Sequence, residues 1–315
     1  MNWKKPWEVV KQTAVDWSES NTFDLGAALA YYGVFAIAPI LVIALAIAGM
    51  VFGEEFASSE LFARLRETAG PAVAEAIAQS LQYAKTSGQG WLATGISVAI
   101  LILGSLGLFT QLQTALNTIW RVKPKPGRGI WGVVKDRFLS FLLVLSIGAL
   151  LVAALVVNTA LAALSGFFPE FHLPGGAVLW EALRWLVSLG LLTLLFAMIY
   201  KVLPDVQLAW RDVWVGAATT AVLFTIGNYL IGLYLGRGSV TSTYGAAGSL
   251  VIILLWVYYS SQILLFGAEF TRVYADKHGR RMAPADNALP MTADECARRG
   301  IPDRPGPPVA APRGT

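Results

Sequence analysis

Residues 248–272 read GSLVIILLWVYYSSQILLFGAEFTR, and this run decides the class of fold. No charged side chain interrupts it before Glu269, and most of its side chains are aliphatic or aromatic. A helix of about 20 apolar residues is long enough to cross a hydrocarbon core of about 30 Å. The run therefore predicts a transmembrane helix.

The composition of the whole chain agrees with a membrane protein. Hydrophobic residues make up 56% of the 315 residues and charged residues 14%, whereas soluble proteins carry about 25% charged residues. The net charge of +4 is typical of loops that set membrane orientation, so it does not indicate a nucleic-acid partner. The single cysteine, Cys296, excludes an intrachain disulfide and a thiolate metal site.

Five further apolar runs have a similar length. The connections that join them are alternately rich and poor in lysine and arginine. Basic residues crowd the N-terminal segment, the second and fourth connections and the C-terminal tail, which places those segments in the cytosol. We therefore expect an all-α, polytopic membrane protein with six transmembrane helices and both termini cytosolic. The predicted spans are Ala27–Phe52, Trp91–Thr110, Phe138–Leu164, Val178–Leu203, Val213–Leu235 and Gly248–Arg272.

The segments outside the spans divide into three further regions. Residues 1–24 predict an amphipathic helix at the membrane interface, because Trp3, Trp7, Val10, Ala14 and Trp17 share one helix face. Packing of that helix on the cytosolic ends of other helices is the alternative. Residues 54–90, inside the 25–275 membrane domain, predict short amphipathic external helices. Residues 276–315 are rich in Arg, Pro, Gly and Ala and predict a disordered cytosolic tail.

Polar residues inside the spans are the first candidates for function, because burying them in lipid is costly. Tyr258, Gln262 and Glu269 fall within about 20° of one helix face. Asn228 in the fifth span and Asn117 after the second are candidates to meet this polar face. The alternative is ordinary hydrogen bonding between helices.

Residues 239–249 are small, hydroxylated and nearly uncharged, and they join two spans. Thr243 and Tyr244 within this segment are candidates for a substrate pathway if the segment is re-entrant. A tight external turn is the alternative, and the sequence does not choose between them.

The connection after the second span carries a run of basic residues that could hold anionic lipid headgroups. The candidates are Arg121, Lys123, Lys125 and Arg128. The alternative is that these charges only set orientation.

Catalytic and cofactor motifs are missing from the sequence. Its two histidines, His172 and His278, fall on opposite sides of the membrane in this topology. No phosphate-binding loop, nucleophile elbow or zinc-binding His pair occurs. We therefore expect no enzymatic activity, no metal and no cofactor.

Several pieces of sequence resemble the YihY/BrkB family of bacterial inner-membrane proteins, once described as ribonuclease BN. They are AALAYY at 27–32 with Pro39, LNTIW at 116–120, LPDV at 203–206, WRDVW at 210–214, TYGAAG at 243–248 and GAE at 267–269. Tyr31 lies in the first piece and is the remaining candidate for the polar interior.

This resemblance implies a six-helix protein of the bacterial inner membrane that is linked to the cell envelope and, in some members, to lipid export. The leading hypothesis is a permease or flippase-like transporter of a lipid, another amphiphile or a small solute, with membrane lipids as partners. A non-transporting envelope scaffold or assembly factor with a protein partner is the alternative. The residue inventory disfavours ribonuclease activity, because phosphodiester hydrolysis usually needs clustered acids with a metal or a histidine pair. The oligomeric state stays open.

Overall fold

The computed structural model describes residues 4–53, 107–126, 176–236, 248–278 and 282–301, with isolated residues between 58 and 78 and between 146 and 157. Helices dominate these parts. In chain order they are α1 (Lys4–Glu19), α2 (Thr22–Phe52), α3 (residues 107–119), α4 (Gly176–Val202), α5 (Trp210–Gly236), α6 (Gly248–Lys277) and α7 (Ala293–Arg298). The short strands are β1 (Val122–Pro124), β2 (Val206–Gln207), β3 (Ala283–Pro284) and β4 (Ala288–Pro290).

Three described helices are long and apolar enough to cross a membrane. They cover Glu181–Val202, Trp210–Tyr234 and Leu250–Lys277, close to the last three predicted spans. A shorter apolar helical segment covers Thr22–Ile37 within α2. The second and third predicted spans lie largely outside the described residues, so six transmembrane helices stay a prediction. Helix α3 continues nine residues beyond Thr110, where the second span was predicted to end.

Helix α6 lies at the centre of the described bundle, where it contacts α1, α2 and α5, and α5 also packs on α4. Small residues bring α5 and α6 together: a methyl group added to Gly216 would lie 1.8 Å from Thr271 Oγ1, and one added to Gly267 would lie 1.9 Å from Thr220 Oγ1. The buried Tyr200 of α4 completes this contact, because its hydroxyl donates to Leu264 O at 2.8 Å. Close backbone approach through small residues is the usual means of helix association in lipid.

Helix α1 packs antiparallel along the last turns of α6, with Glu8 near Lys277 and Trp17 near Phe266. Its buried face carries Val9, Thr13 and Asp16, whereas Trp7 is 69% exposed. The contacts thus support the packing alternative for this helix, and they leave part of the tryptophan face free. Trp3 lies outside the described residues.

Two antiparallel ladders join the C-terminal segment to connections between helices: β4 pairs with β1, and β3 pairs with β2. The end of the bundle where these ladders lie is called the ladder end below. The prediction of disorder beyond residue 276 is wrong for residues 282–301. Short strands are held mainly by backbone hydrogen bonds, so their composition of Ala and Pro did not reveal them. Residues 302–315 lie outside the described residues.

The predicted external helices fall mostly outside the described residues, but Val73 and Ile77 are described and fully buried. They pack with Ile252 and Ile253 of α6, and Leu65 lies against the same cluster. This face is therefore occupied by the bundle itself.

Candidate functional site

An ion network centred on Arg272 is the most unusual polar feature of the described bundle. Arg272 Nη2 lies 2.6 Å from Glu269 Oε1 and 2.7 Å from Asp16 Oδ2, and Nη1 lies 3.4 Å from Asp276 Oδ2. The exposed fractions are 2% for Glu269, 5% for Asp16 and 7% for Arg272. Three carboxylates therefore surround one buried guanidinium, in and beside a helix that is otherwise apolar.

Local helix geometry builds this network. Glu269, Arg272 and Asp276 stand at spacings of three and four residues, so they share one face of α6. Asp16 reaches the same guanidinium from α1, and Gln12 Nε2 donates to its other oxygen at 2.6 Å. The T-shaped contact of Trp17 with Phe266 fixes the position of α1 beside the network.

A small pocket lies beside this network at the ladder end. Glu269 and Arg272 line it together with the turn between α1 and α2, the end of α3, and Ile301 from the C-terminal segment. The other polar groups on its wall are the side chains of Ser20, Asn21, Thr22, Thr118 and Arg121. The pocket therefore combines buried charges with hydroxyl and amide groups.

Tyr258 and Gln262 continue the polar face of α6 away from the ladder end. Gln262 Nε2 donates to Thr22 O at 3.3 Å, while Oε1 has no hydrogen-bond partner among the described residues. A methyl group on Gly26 would lie 3.6 Å from Tyr258 Cε2, so both side chains lie against α2. The structure thus brings Tyr258, Gln262 and Glu269 to the side of α6 that meets α1 and α2.

Other sequence candidates lie elsewhere. Asn228 is buried, and its Oδ1 has no hydrogen-bond partner among the described residues. Tyr31 is 59% exposed and packs edge-on against Tyr32 and Phe35, so it does not join the polar interior. Thr243 and Tyr244 lie outside the described residues.

Asn117 meets a buried aspartate that the sequence analysis did not select. Its Nδ2 donates to Asp205 Oδ2 at 2.9 Å, and its Oδ1 accepts from Asp205 N at 2.8 Å. Asn287 Nδ2 donates to Asp205 Oδ1 at 2.8 Å, and Gln113 Nε2 lies 3.4 Å from Oδ2. Asn117 was expected to meet the polar face of α6, but here it ties the end of α3 to the α4–α5 connection.

Two of the basic residues proposed to hold lipid headgroups are engaged within the chain. Lys123 Nζ pairs with Glu295, and Lys125 Nζ donates to Asp286 O at 2.6 Å. The hydrogen bond from Lys123 lowers the pKa of Glu295 to about 2. Arg121 lines the pocket and has a left-handed φ of 55°, which turns the chain from α3 into β1. Arg128 lies outside the described residues.

Sequence reasoning missed Asp16, Asp205 and Asn287. A signal for Asp16 existed, because Val9, Thr13 and Asp16 recur at spacings of four and three on one face of α1. No local pattern marks Asp205 or Asn287, because their partners are distant in sequence.

Comparison with known proteins shows the family to which the chain belongs. The profile of the family described as Virulence factor BrkB matches residues 13–290. The chain belongs to this family. The BrkB match covers all described helices from α2 to α6 and ends with β4, before α7 begins.

Three relatives of this BrkB-family chain are described as UPF0761 membrane proteins. It is 30% identical to a UPF0761 membrane protein of Pseudomonas aeruginosa over 244 residues, or 77% of this chain and 56% of the relative. The UPF0761 membrane protein of Rhodospirillum centenum is 28% identical, with 84% of this chain and 56% of the relative covered. That of Verminephrobacter eiseniae is 29% identical, with 84% and 62% covered. The chain thus spans little more than half the length of these relatives. No solved structure matches it.

Proposed function

We propose that this membrane protein is a permease or flippase-like transporter of a lipid, another amphiphile or a small solute, and that it has no enzymatic activity. The observation that carries the proposal is the buried network of Asp16, Glu269 and Arg272 beside a pocket of mixed polar and apolar lining. Charged residues inside membrane helices are costly, and they commonly mark substrate or ion pathways.

The stability of the fold alone does not explain such a network. A buried ion pair gains little over well-packed apolar residues of similar volume, because both charges lose their hydration. Glu269 and Arg272 also line a pocket that combines charged and neutral polar groups. A polar group of a headgroup or of a solute matches that chemistry, and the apolar surfaces of the neighbouring helices match acyl chains.

The scaffold hypothesis relied on a partner-binding face that includes Leu65 and Ile77. Because Ile77 is buried against α6, that face is already filled, and we rank the scaffold second. A ribonuclease ranks last, because phosphodiester hydrolysis usually needs clustered acids with a metal or a histidine pair, and the sequence places its two histidines on opposite sides of the membrane.

We further propose that the protein lies in the bacterial inner membrane with its ladder end in the cytosol. Basic residues of two connections gather at this end, including Lys123, Lys125 and Arg211, as the positive-inside rule requires for a cytosolic face. Reporter fusions after Lys125 and Arg281 should therefore behave as cytosolic, and fusions after Lys85, Pro169 and Gly238 as external. The reverse pattern would contradict this orientation.

Reconstitution tests transport directly. The purified chain is placed in liposomes that carry either a fluorescent phospholipid or an entrapped fluorescent solute, and flux is compared with protein-free liposomes and with liposomes that hold an unrelated six-helix protein. We expect the protein to accelerate the movement of one probe class. Equal rates in all three preparations for both probes would contradict the proposal.

A further inference from the structure

The C-terminal segment 282–301, called the strap below, returns to the bundle and crosses the ladder end. Its strand β4 pairs with β1, and β3 pairs with β2. Two further backbone bonds extend the first ladder: Lys125 N donates to Asn287 O at 3.0 Å, and Met291 N donates to Arg121 O at 2.8 Å. The strap thus bridges the connection after α3 and the connection after α4.

Side chains hold the part of the strap that follows β4. Glu295 pairs with Lys123, and Arg299 Nη1 donates to Thr118 Oγ1 at 3.1 Å. Helix α7 starts with a complete capping box between Thr292 and Glu295, and it buries Cys296. This part of the strap is therefore docked on the bundle by specific contacts.

The end of the strap lies over the polar pocket. Gly300 has a left-handed φ of 66°, and Ile301 N donates to Cys296 O at 2.9 Å, so the chain turns back at the end of α7. A methyl group on Gly300 would lie 3.4 Å from Asn21. Ile301 is buried and lines the same pocket as Arg272 and Glu269. Together with Leu25 and Ile119, it forms the apolar part of a pocket whose remaining lining is polar.

We propose that the strap is a lid, which closes the pocket beside Glu269 and Arg272 when it is docked and opens that pocket when it leaves. Its attachments suit reversible release. The ladders span two and three residues, and the Lys123–Glu295 pair is partly exposed; such contacts contribute little stability each. The proposal concerns access to the pocket and does not depend on transport.

Cys296 reports docking of the strap because it is the only cysteine in the sequence. The full chain in detergent is treated with a maleimide, and the labelling rate is compared with that of the urea-unfolded chain. The release variant is Glu295→Lys with Arg299→Ala, which breaks the two side-chain attachments of the part of the strap that follows β4 and changes no pocket residue. The matched control is Asp294→Lys with Arg298→Ala, which makes the same charge changes at the exposed neighbours in α7.

We expect slow labelling in the wild type and the control, and labelling at least about tenfold faster in the release variant, because protection follows the equilibrium of local opening. Wild-type labelling as fast as in the unfolded chain would overturn the proposal. Equal rates in the release and control variants would also overturn it.

A second reporter tests whether the strap covers the pocket. Thr22 lines the pocket and is fully buried, so Thr22→Cys in a Cys296→Ser chain is labelled only when the pocket opens. The release substitutions should speed this labelling, and the control substitutions should not. If Thr22→Cys reacts at the same rate with the wild-type strap, the release substitutions and the control substitutions, the strap is not a lid, whatever the flux measurements show.

Discussion

Asp16 of α1 and Arg272 of α6 form a buried ion pair at 2.7 Å, although 256 positions separate them in sequence. The pair connects the N-terminal helix to the last membrane helix. Because Glu269 shares the same guanidinium, one arginine neutralises carboxylates from two helices. The position of α1 and the chemistry of the pocket therefore depend on the same side chain.

Removing that arginine should destabilise the fold. Arg272→Ala leaves Asp16 and Glu269 buried without their cation, and breaking a buried pair in this way costs about 3–5 kcal/mol. We expect a lower membrane abundance and a lower melting temperature in detergent. Arg211→Ala, which removes an exposed arginine from the first turn of α5, is the matched control and should leave both unchanged. Equal melting temperatures for the two variants would contradict a structural role for the network.

Two glycines, one at the contact between α5 and α6 and one on an open face of α4, predict opposite effects of substitution by alanine. Gly267→Ala would place a methyl group 1.9 Å from Thr220 Oγ1 and 2.6 Å from the Tyr200 hydroxyl, so the helices must separate. We expect a loss of about 1–3 kcal/mol, typical of overpacking. A methyl group on Gly190 of α4 meets no described atom within 4 Å, and alanine is the better helix former by about 1 kcal/mol. Gly190→Ala should therefore leave the melting temperature unchanged or raise it. If Gly267→Ala also leaves it unchanged or raises it, α5 and α6 do not approach each other closely at Gly267.

Much of the helical layout could be predicted because the positions of the long helices follow from local runs of apolar residues. The sequence placed the last span at Gly248–Arg272, and α6 covers Gly248–Lys277. The five extra residues include the amphipathic turn with Asp276, where hydropathy falls but packing on α1 keeps the helix intact. The end of α3 was missed for the same reason, since residues 111–119 are polar in part yet pack on α4 and α5.

Long-range polar contacts could not be predicted in the same way. Asp205 lies in a short connection, and its three amide donors come from α3 and the strap. The strap itself pairs with segments more than 75 positions away, through strands of two or three residues. Neither hydropathy nor helical spacing carries information about such pairings.

The Asn117–Asp205 contact predicts that two substitutions destabilise the protein to different degrees. Asn117→Ala removes a donor to the carboxylate and an acceptor for Asp205 N, both at hydrogen-bond distance. Leaving buried partners unsatisfied costs about 1–3 kcal/mol. Gln113→Ala removes a single long contact of 3.4 Å and should cost less. Thermal unfolding of both variants measures the difference, and a larger loss for Gln113→Ala would show that Asn117 does not anchor the connection.

The flux supported by Glu269→Gln in liposomes tests the central claim most directly. The substitution keeps the size of the side chain, and Asp16 still neutralises Arg272, so the fold should survive. The matched control is Glu181→Gln, which makes the same change at an exposed carboxylate that pairs with Arg184 at 3.1 Å near the start of α4. If the buried network carries transport, Glu269→Gln lowers flux at least about tenfold, equivalent to about 1.4 kcal/mol in the barrier, while Glu181→Gln matches the wild type. Wild-type flux from correctly folded Glu269→Gln would contradict the claim.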